Sequence, residues 1–557
     1  MPKEKNHAER EKPRRKRKTM PKEKETFTNT EYLGTYKKTE SKNNATLCNS
    51  RFILFNRRNN SRHKKNLPKK FYALSFNKSR IFYGEKFSCY YNLSRKHLNG
   101  FLKGDFKMVM PSTAIDSELH GFLFSTDEMR NALSDRAWIQ KWLDTEAALA
   151  KAQGELGVIP KEKADIINEY AKAELLDAKA IGEFFKSSIT IVPLLKEFKK
   201  ILPENAGEYV HWGATSQDIV DTGIVLLQRD AYKIILRDMK ACLKASLKLA
   251  KKYRSVPQAG RTHVVHAIPI TFGYKAAVWA DELGRDIERL EAMAPRVFVG
   301  EMAGAVGTLA SQPEKGLETQ RRMFEILGLG VPTIAWHVAR DNQAEFVSTL
   351  AICAGTLGRI NHEIFTLQRS EILELEEPFF MGKIGSSTMP QKRNPAVLEN
   401  VLAVLRNVRS IAPAIVESMI SENERDWGCF LSEWEAIPRA CHLMAAGLAK
   451  SKHILENLIV YEKHMERNLD LQKGLIVSEN VMMHLATKLG RMTAHEVVYK
   501  AAMESYEKEI PLKAVLMKTP EVTAAFTEEE VDFMVDPHNY VGLAPVFADR
   551  VIEKYNK

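Results

Sequence analysis

A short loop rich in hydroxyl, amide and cationic groups is the part of the sequence best equipped for chemistry. It reads Gly385-Ser386-Ser387-Thr388-Met389-Pro390-Gln391-Lys392-Arg393-Asn394-Pro395. Backbone amides, hydroxyls and a lysine can together bind an anion, and the glycines would let the loop close over a ligand and exclude water. The alternative is an ordinary loop before a helix, with Asn394 as the N-cap and Pro395 as the first helical residue.

Two further segments bring polar side chains to the ends of predicted elements. After a break at Pro257 the chain reads Gly260-Arg261-Thr262-His263. A histidine can donate a proton near neutral pH, although a lone histidine is more often structural. The other segment is His211-Trp212-Gly213-Ala214-Thr215-Ser216-Gln217-Asp218. Thr215 and Asp218 have the spacing of a capping box at the start of a helix, and the amides of such an N-terminus also favour a bound anion.

Long amphipathic segments must hold these polar segments in place. Apolar residues recur at helical spacing from Ile219 to Tyr253, and similar stretches cover about 132–156, 270–293, 344–374, 395–420 and 433–460. Signals for strands are scarce, so the sequence predicts an all-α fold with a long central helical bundle and smaller helical N- and C-terminal domains. Apolar faces of this length exceed what one chain can cover, so self-association is expected.

The predicted domain boundaries follow the change in composition along the chain. Residues 1–107 are expected to be a basic, disordered leader, followed by an N-terminal helical domain at 108–218, the bundle at 219–469 and a helical cap at 470–557. The leader is interpreted as a basic tail, a targeting segment or sequence upstream of the true start, with Met108 or Met110 as candidate initiators. It holds 29 of the 82 Lys and Arg residues but 9 of the 70 Asp and Glu residues, so the remainder is net acidic. Nucleic-acid binding by the folded body is therefore not expected.

Cysteine spacing and hydropathy exclude several other classes of protein. The six cysteines show no C-x-x-C spacing, which argues against a zinc site or a disulfide framework. No apolar run is long enough to span a membrane, and no secretory signal is recognisable. The sequence therefore predicts a cytoplasmic protein without a membrane partner.

The hydroxyl-rich loop resembles the signature of the fumarase/aspartase superfamily, Gly-Ser-two residues-Met-two residues-Lys-one residue-Asn. Every fixed position is present, and the two other segments follow the expected order, so the resemblance covers roughly 117–557. It implies that Ser386 is the general base that removes a proton beside a carboxylate. It also implies that Lys392 and Asn394 bind a substrate carboxylate, with Ser387 and Met389 in support.

The other two segments are similar to segments of adenylosuccinate lyases within this superfamily. That similarity implies that His263 is the general acid, that Thr262 and Arg261 take part in substrate binding, and that His266 is structural. It implies further that Thr215 and Ser216 bind substrate, and that His211 contacts substrate or assists acid catalysis. Glu399, one turn into the helix after Pro395, matches a carboxylate that pairs with an active-site histidine, although exposed glutamates are common on helices.

The resemblance leaves two branches of the superfamily open. The retained His263 favours an adenylosuccinate-lyase-like enzyme of purine metabolism that eliminates fumarate from a succinyl-substituted amine. Phe122–Thr126, Ser188–Ile191 and Glu424–Trp427 depart from that branch. Glu433-Trp434 and Asp536–Gly542 resemble 3-carboxy-cis,cis-muconate cycloisomerase instead, although its bacterial members commonly have leucine where this chain has His263. A catalytically silent relative, as among the crystallins, is a third alternative.

The resemblance also carries expectations about partners and cofactors. It implies a small dicarboxylate substrate and a homotetramer in which each active site collects the three segments from three different subunits. No metal or organic cofactor is expected, because acid, base and anion binding suffice for the reaction.

Overall fold

The computed structural model describes residues 112–188 and 190–556, which lie in one compact unit. The predicted leader and the candidate initiators Met108 and Met110 lie outside the described residues. The helices that come first in the described chain are α1 (Gly121–Phe124), α2 (Asp127–Ala132), α3 (Asp135–Glu155), α4 (Lys161–Tyr170), α5 (Ala178–Phe185) and α6 (Val192–Ile201). Thr126, Ser134 and Asp177 cap three of them through side-chain oxygens that accept backbone N–H groups.

The predicted long helices are present and form a bundle. The central elements, in chain order, are α7 (Ser216–Lys252), β1 (Pro257–Thr262), β2 (Val265–Thr271), α8 (Phe272–Val297), α9 (Gly316–Leu327), α10 (Asp341–Leu367), β3 (Leu375–Glu376), α11 (Ala396–Glu417), α12 (Trp427–Glu456), β4 (Ile459–Val460) and α13 (Glu462–Leu469). Helices α7, α8, α10, α11 and α12 pack against one another. At 37 residues, α7 is about 55 Å long. The all-α prediction is confirmed.

The central helices share one hydrophobic core, and the C-terminal helices enclose another. The remaining elements are α14 (Ser478–Leu489), α15 (Arg491–Lys508), α16 (Leu512–Leu516), α17 (Pro520–Thr523), α18 (Glu528–Val535) and α19 (Ala544–Tyr555). Val481, Leu485 and Leu516 belong to a core separate from that of the bundle. The last helix returns to the bundle, where Tyr555 Oη donates to the Asp281 carboxylate at 3.0 Å on α8.

A β-hairpin, which the sequence did not predict, lies between the break at Pro257 and the next helix. Strands β1 and β2 pair antiparallel from Pro257–Thr271 to Thr262–Val265. His263 and Val264 form the two-residue connection, with φ angles of 50° and 65°, which is the pattern of a tight hairpin turn. The prediction missed the hairpin because its residues do not alternate between apolar and polar.

None of the described helices is both long enough and apolar enough to cross a membrane.

Candidate active site

The N-terminus of α7 forms one wall of the candidate site. Asp218 Oδ2 accepts the backbone N–H of Thr215 at 2.8 Å, which supplies the carboxylate half of the predicted capping box. The same carboxylate also accepts the backbone N–H groups of Ala303 and Gly304 and bonds His337 Nε2 at 2.9 Å. The buried Asp218 carboxylate therefore fixes the first turn of α7 against the segments that contain Ala303 and His337. The backbone amides of this helix N-terminus favour a bound anion.

A cavity of about 190 Å³ opens at this helix N-terminus and has a polar and an aromatic end. The residues around it are Thr190, Thr215, Ser216, Gln217, Val220, Arg425, Trp427, Phe430 and Trp434. Arg425 Nε donates to Gln217 Oε1 at 2.9 Å, and Arg425 Nη2 donates to the Ala305 carbonyl at 2.8 Å. These bonds hold a guanidinium at the polar end, where it can attract a second anionic group.

Buried ion pairs hold the cavity floor in place. Arg340 lies fully buried between Asp221 on α7 and Glu433 on α12, with contacts of 2.8 Å to each carboxylate. Gln217 Nε2 donates to Asp221 at 2.9 Å and to the His337 carbonyl at 2.6 Å. Breaking such a buried pair would leave an uncompensated charge, so this network keeps α7 and α12 in register beneath the cavity.

His211, a predicted substrate ligand, lies beside a buried carboxylate. Its Nδ1 is 2.7 Å from Glu146 Oε1, and its backbone N–H donates to Glu146 Oε2 at 3.0 Å. Burial alone would lower the pKa of His211, but the Glu146 carboxylate outweighs burial and the pKa lies above its ordinary value. Glu146 therefore orients the ring so that Nε2 is the nitrogen left to meet a ligand.

The hairpin presents the predicted acid, His263, at its tip. Thr262 and His263 are exposed. Arg261 instead forms an ion pair within the protein, because its two terminal nitrogens donate hydrogen bonds to Glu374 at 2.6 and 3.1 Å. This arrangement favours a structural role for Arg261 over the predicted substrate contact. His266, expected to be structural, lies opposite Arg261 across the hairpin, and burial followed by the Arg261 charge lowers its pKa.

The signature loop is ordered by its own polar groups. Ser386 Oγ accepts the backbone N–H groups of Thr388 and Met389 at 3.3 and 3.0 Å. Asn394 Nδ2 donates to the Gly385 carbonyl at 2.6 Å and closes the loop on itself. Asn394 is therefore not the N-cap of α11, a position taken by Pro395. The loop's remaining predicted residues are exposed: Ser387, Met389 and Lys392.

Glu399 lies in the first turn of α11 with its side chain exposed. A carboxylate at this position faces the favourable end of the helix dipole. Within the described residues no histidine bonds Glu399, so its pairing with an active-site histidine stays a prediction.

The predicted residues lie in three separate places on one chain. Thr215 and Ser216 line the cavity, whereas His263 is at the hairpin tip and Ser386 is in the loop before α11. Over residues 112–188 and 190–556, no hydrogen bond or ion pair joins Thr215, His263 and Ser386 to one another. The three segments therefore belong to three different elements of the described chain.

One buried group within the described chain has the spacing of a metal site: Asp218, Glu301 and His337. Asp218 and His337 already bond each other at 2.9 Å. Burial raises the pKa of Glu301 to about 9, with the Asp218 and Asp221 charges acting in the same direction. Asp218 and Glu301 also accept hydrogen bonds from the backbone N–H groups of Ala303, Gly304 and Trp336, so the protein's own donors hold the cluster together.

Arg425 and Gln217 are cavity residues that the sequence did not single out for binding. Arg425 was noted only within a stretch that departs from adenylosuccinate lyases, and Gln217 only within a motif. An arginine beside a predicted helix N-terminus carries no spacing signal, because 208 positions separate it from its partner Gln217.

A family model described as "Lyase" matches residues 122–410, and one described as "Adenylosuccinate lyase C-terminus" matches 474–551. The chain belongs to the fumarase/aspartase superfamily. It is therefore a lyase, and the predicted superfamily is confirmed.

Relatives within the superfamily differ in what their names say they act on. The chain is 45% identical to N-acetyl-S-(2-succino)cysteine lyase of Enterococcus italicus, over 80% of this chain and 97% of that protein. It is 40% identical to adenylosuccinate lyase of Methanocaldococcus jannaschii, over 78% and 94%. The crystal structure of 3-carboxy-cis,cis-muconate lactonizing enzyme from Pseudomonas putida superimposes with a TM-score of 0.75 at 34% identity, over 79% and 99%.

Proposed function

We propose that this lyase releases fumarate from an S-succinyl derivative of cysteine. Ser386, as the alkoxide, takes the proton from the carbon beside one carboxylate. The electron pair forms the carbon–carbon double bond, the carbon–sulfur bond breaks, and His263 protonates the departing sulfur. The products are fumarate and a thiol, so atoms and charge balance without an external oxidant or reductant.

The surroundings of Ser386 support its role as the base. A serine hydroxyl is a weak base, so its alkoxide needs nearby donors. The backbone amides of Thr388 and Met389 point at Ser386 Oγ from 3.3 and 3.0 Å. Proton removal beside a carboxylate creates a doubly negative species, which fixed donors and Lys392 in the same loop would stabilise.

The anion-binding groups support a dicarboxylate substrate. Amides and hydroxyls at the N-terminus of α7, from Thr215 and Ser216, suit one carboxylate. Lys392 suits the other, with Asn394 holding the loop conformation through Gly385. A succinyl group carries two carboxylates on adjacent carbons, which is the spacing that two facing anion sites would recognise.

The cavity supports a small leaving group. Among the described residues that line it, Arg425 is the single cation, which suits one carboxylate better than a cluster of phosphate oxygens. The aromatic end formed by Trp427, Phe430 and Trp434 suits an apolar thioether or acyl group. Together with the 45% identity to N-acetyl-S-(2-succino)cysteine lyase, this cavity favours an N-acylated cysteine as the leaving thiol.

A succinyl-substituted amine is the second candidate substrate. The family model of the adenylosuccinate lyase C-terminus and the 40% identity to an adenylosuccinate lyase favour it. The same base and acid would serve, because an amine must also be protonated as it leaves. Cycloisomerisation of 3-carboxymuconate is the remaining alternative from the sequence.

Separation of the three segments supports the predicted homotetramer with shared active sites. Among the described residues the three segments make no direct polar contact, and apolar side chains are exposed on bundle helices at Val278 and Ile352. Copies of the chain packed along these helices would cover that surface.

A substrate panel tests the proposed function. Purified full-length protein is mixed with N-acetyl-S-(2-succino)cysteine, adenylosuccinate or 3-carboxymuconate, and fumarate or lactone is quantified by chromatography. We expect fumarate from the thioether at the highest kcat/KM. A preference for adenylosuccinate would mean that the leaving group is an amine and not a thiol. Lactone formation would favour the cycloisomerase, and inactivity on all three substrates would refute the proposal.

A further inference from the structure

A single buried carboxylate, that of Glu374, collects four hydrogen bonds beside the hairpin. Its oxygens accept Arg261 Nη2 at 2.6 Å, Arg261 Nη1 at 3.1 Å, Gln258 Nε2 at 2.6 Å and Asn468 Nδ2 at 2.7 Å. Glu374 is fully buried. A carboxylate with this many partners is rigidly oriented, because a two-point arginine contact defines the plane of both groups.

The partners of Glu374 belong to elements that are distant in sequence. Gln258 and Arg261 lie on β1, and Asn468 lies near the end of α13. The Glu374 carbonyl also accepts the backbone N–H of Tyr461 at 2.9 Å, just after β4. Glu374 thus attaches the first strand of the hairpin to the end of the bundle.

The attachment point lies close to the predicted acid. Arg261 is two residues before His263, which sits in the turn with a positive φ and an exposed side chain. An isolated two-stranded hairpin is only marginally stable, so the orientation of its tip depends on what anchors its strands.

The neighbouring acidic residue of β3 serves the other catalytic segment. The Glu376 carboxylate lies 3.3 Å from Arg393 Nη1 and accepts a hydrogen bond from the Tyr461 hydroxyl. Arg393 lies between Lys392 and Asn394, and its guanidinium stacks over Phe379 at 4.1 Å. Glu374, just before β3, and Glu376, within β3, therefore anchor the hairpin and the base of the loop that bears Ser386 separately.

We propose that Glu374 is a positioning residue that orients His263 through Arg261 for protonation of the leaving group. This role rests on the proposed function. Displacing a catalytic group by about 1 Å can cost about 100-fold in rate, so loosening the anchor should weaken acid catalysis selectively. Proton removal by Ser386 should be spared, because Glu376 anchors that loop separately.

Two substrates with different leaving groups separate this role from general destabilisation. N-Acetyl-S-(2-succino)cysteine loses an alkyl thiolate, which benefits from protonation. The compound 2-(4-nitrophenylthio)succinate loses an aryl thiolate that is stable unprotonated at neutral pH and absorbs visible light. We expect Glu374→Gln to lower kcat at least about 10-fold on the first substrate and less than about 2-fold on the second, with KM little changed.

Matched variants complete the experiment. Glu376→Gln should slow both substrates by a similar factor, because it loosens the loop that carries the base. Asp286→Asn, which removes a buried carboxylate paired with Arg289 on α8, should leave the ratio between the substrates unchanged. Arg261→Lys keeps the charge but loses the two-point contact, so it should reproduce the selective loss even if Glu374→Gln does not fold.

The outcomes distinguish this role from the proposed function. Equal losses on both substrates in Glu374→Gln and Arg261→Lys, or no loss on either, would overturn the positioning role while leaving the lyase activity established. A wild-type protein inactive on both thioethers would refute the proposed substrate class and this role together.

Discussion

Ser386 is the residue on which the proposed chemistry depends most. A hydroxyl becomes a useful base only where its alkoxide is stabilised, and the loop supplies two backbone amides within 3.3 Å of Oγ. Those amides point at the oxygen because the chain turns immediately after it. The basicity proposed for Ser386 is therefore a property of the loop conformation.

Replacing this serine gives the first prediction at the scale of a residue. Ser386→Ala should lower kcat for fumarate release by about 1000-fold or more, because it removes the oxygen that is proposed to accept the proton and that two loop amides bond. The melting temperature should change little, since the side chain bonds only its own loop. Ser410→Ala, which removes a hydroxyl on α11 bonded to the Asn407 carbonyl, is the control and should retain activity. A Ser386→Ala enzyme with near-normal kcat would contradict the assignment of the base.

Glu301 gives a second prediction through its raised pKa. Burial and the nearby Asp218 and Asp221 charges raise the pKa to about 9, well above its ordinary value of 4.5. Oε1 of Glu301 has no hydrogen-bond partner in the described part of the chain. The folded protein thus holds a proton that the unfolded chain releases, so stability falls as pH rises from about 4.5 to about 9.

Glu301→Gln makes the side chain permanently neutral and should remove that loss. The melting temperature of the variant relative to wild type should increase between pH 6 and pH 9, as measured by circular dichroism. The exposed Glu417→Gln should show no such trend. A difference that stayed constant with pH would mean that Glu301 is ionised in the folded protein.

At the scale of an element, the hairpin is the feature with an evident conformational cost. Val264 has a φ of 65°, a region that β-branched residues rarely adopt and that costs about 1 kcal/mol or more. The Val264 side chain is also exposed, so packing contacts do not offset the conformational strain. The strain is confined to the turn beside His263.

Val264→Gly should therefore stabilise the protein by about 1 kcal/mol, measured as the free energy of unfolding in urea. Glycine adopts this φ without the steric penalty. Val265→Gly, in the adjoining strand β2, should destabilise the protein instead, because glycine weakens strands. Equal destabilisation by both substitutions would show that the turn is not strained.

The long helices were predictable because their apolar periodicity continues for many turns. The apolar periodicity begins at Ile219, three residues after the first residue of α7, Ser216, whereas the capping-box spacing of Thr215 and Asp218 marks the observed start. The hairpin was not predictable, since its register depends on contacts such as that between Arg261 and Glu374, 113 positions apart. Helix α10 ends at Leu367, before the predicted limit at Glu374, and the Glu374 carboxylate instead bonds Arg261 and Gln258 of the hairpin.

The motifs of the candidate site were predictable from the sequence, but the residues that contact those motifs were not. Ser386, His263 and Thr215 stood out by type and order along the chain. The cavity around Arg425, and the pairing of His211 with Glu146, join residues whose separation leaves no local pattern. The role of Arg261 likewise follows from a buried acidic partner that the motif does not include.

At the scale of the whole molecule, the arrangement of the segments argues for an assembly. Thr215, His263 and Ser386 occupy three different parts of one chain, each at the end of a rigid element. Within the proposed homotetramer each active site would take its base from one subunit and its acid from another. Two variants, each lacking one of these groups, would then carry complementary defects.

Mixing the two inactive variants tests this account most directly. Ser386→Ala and His263→Ala proteins are unfolded together, refolded as hybrids and assayed for fumarate release from N-acetyl-S-(2-succino)cysteine. Random association should restore intact sites, giving up to about one quarter of wild-type activity from an equal mixture. Each variant refolded alone is the control and should stay inactive. A mixture no more active than either variant alone, although hybrid tetramers are present, would contradict the shared active site.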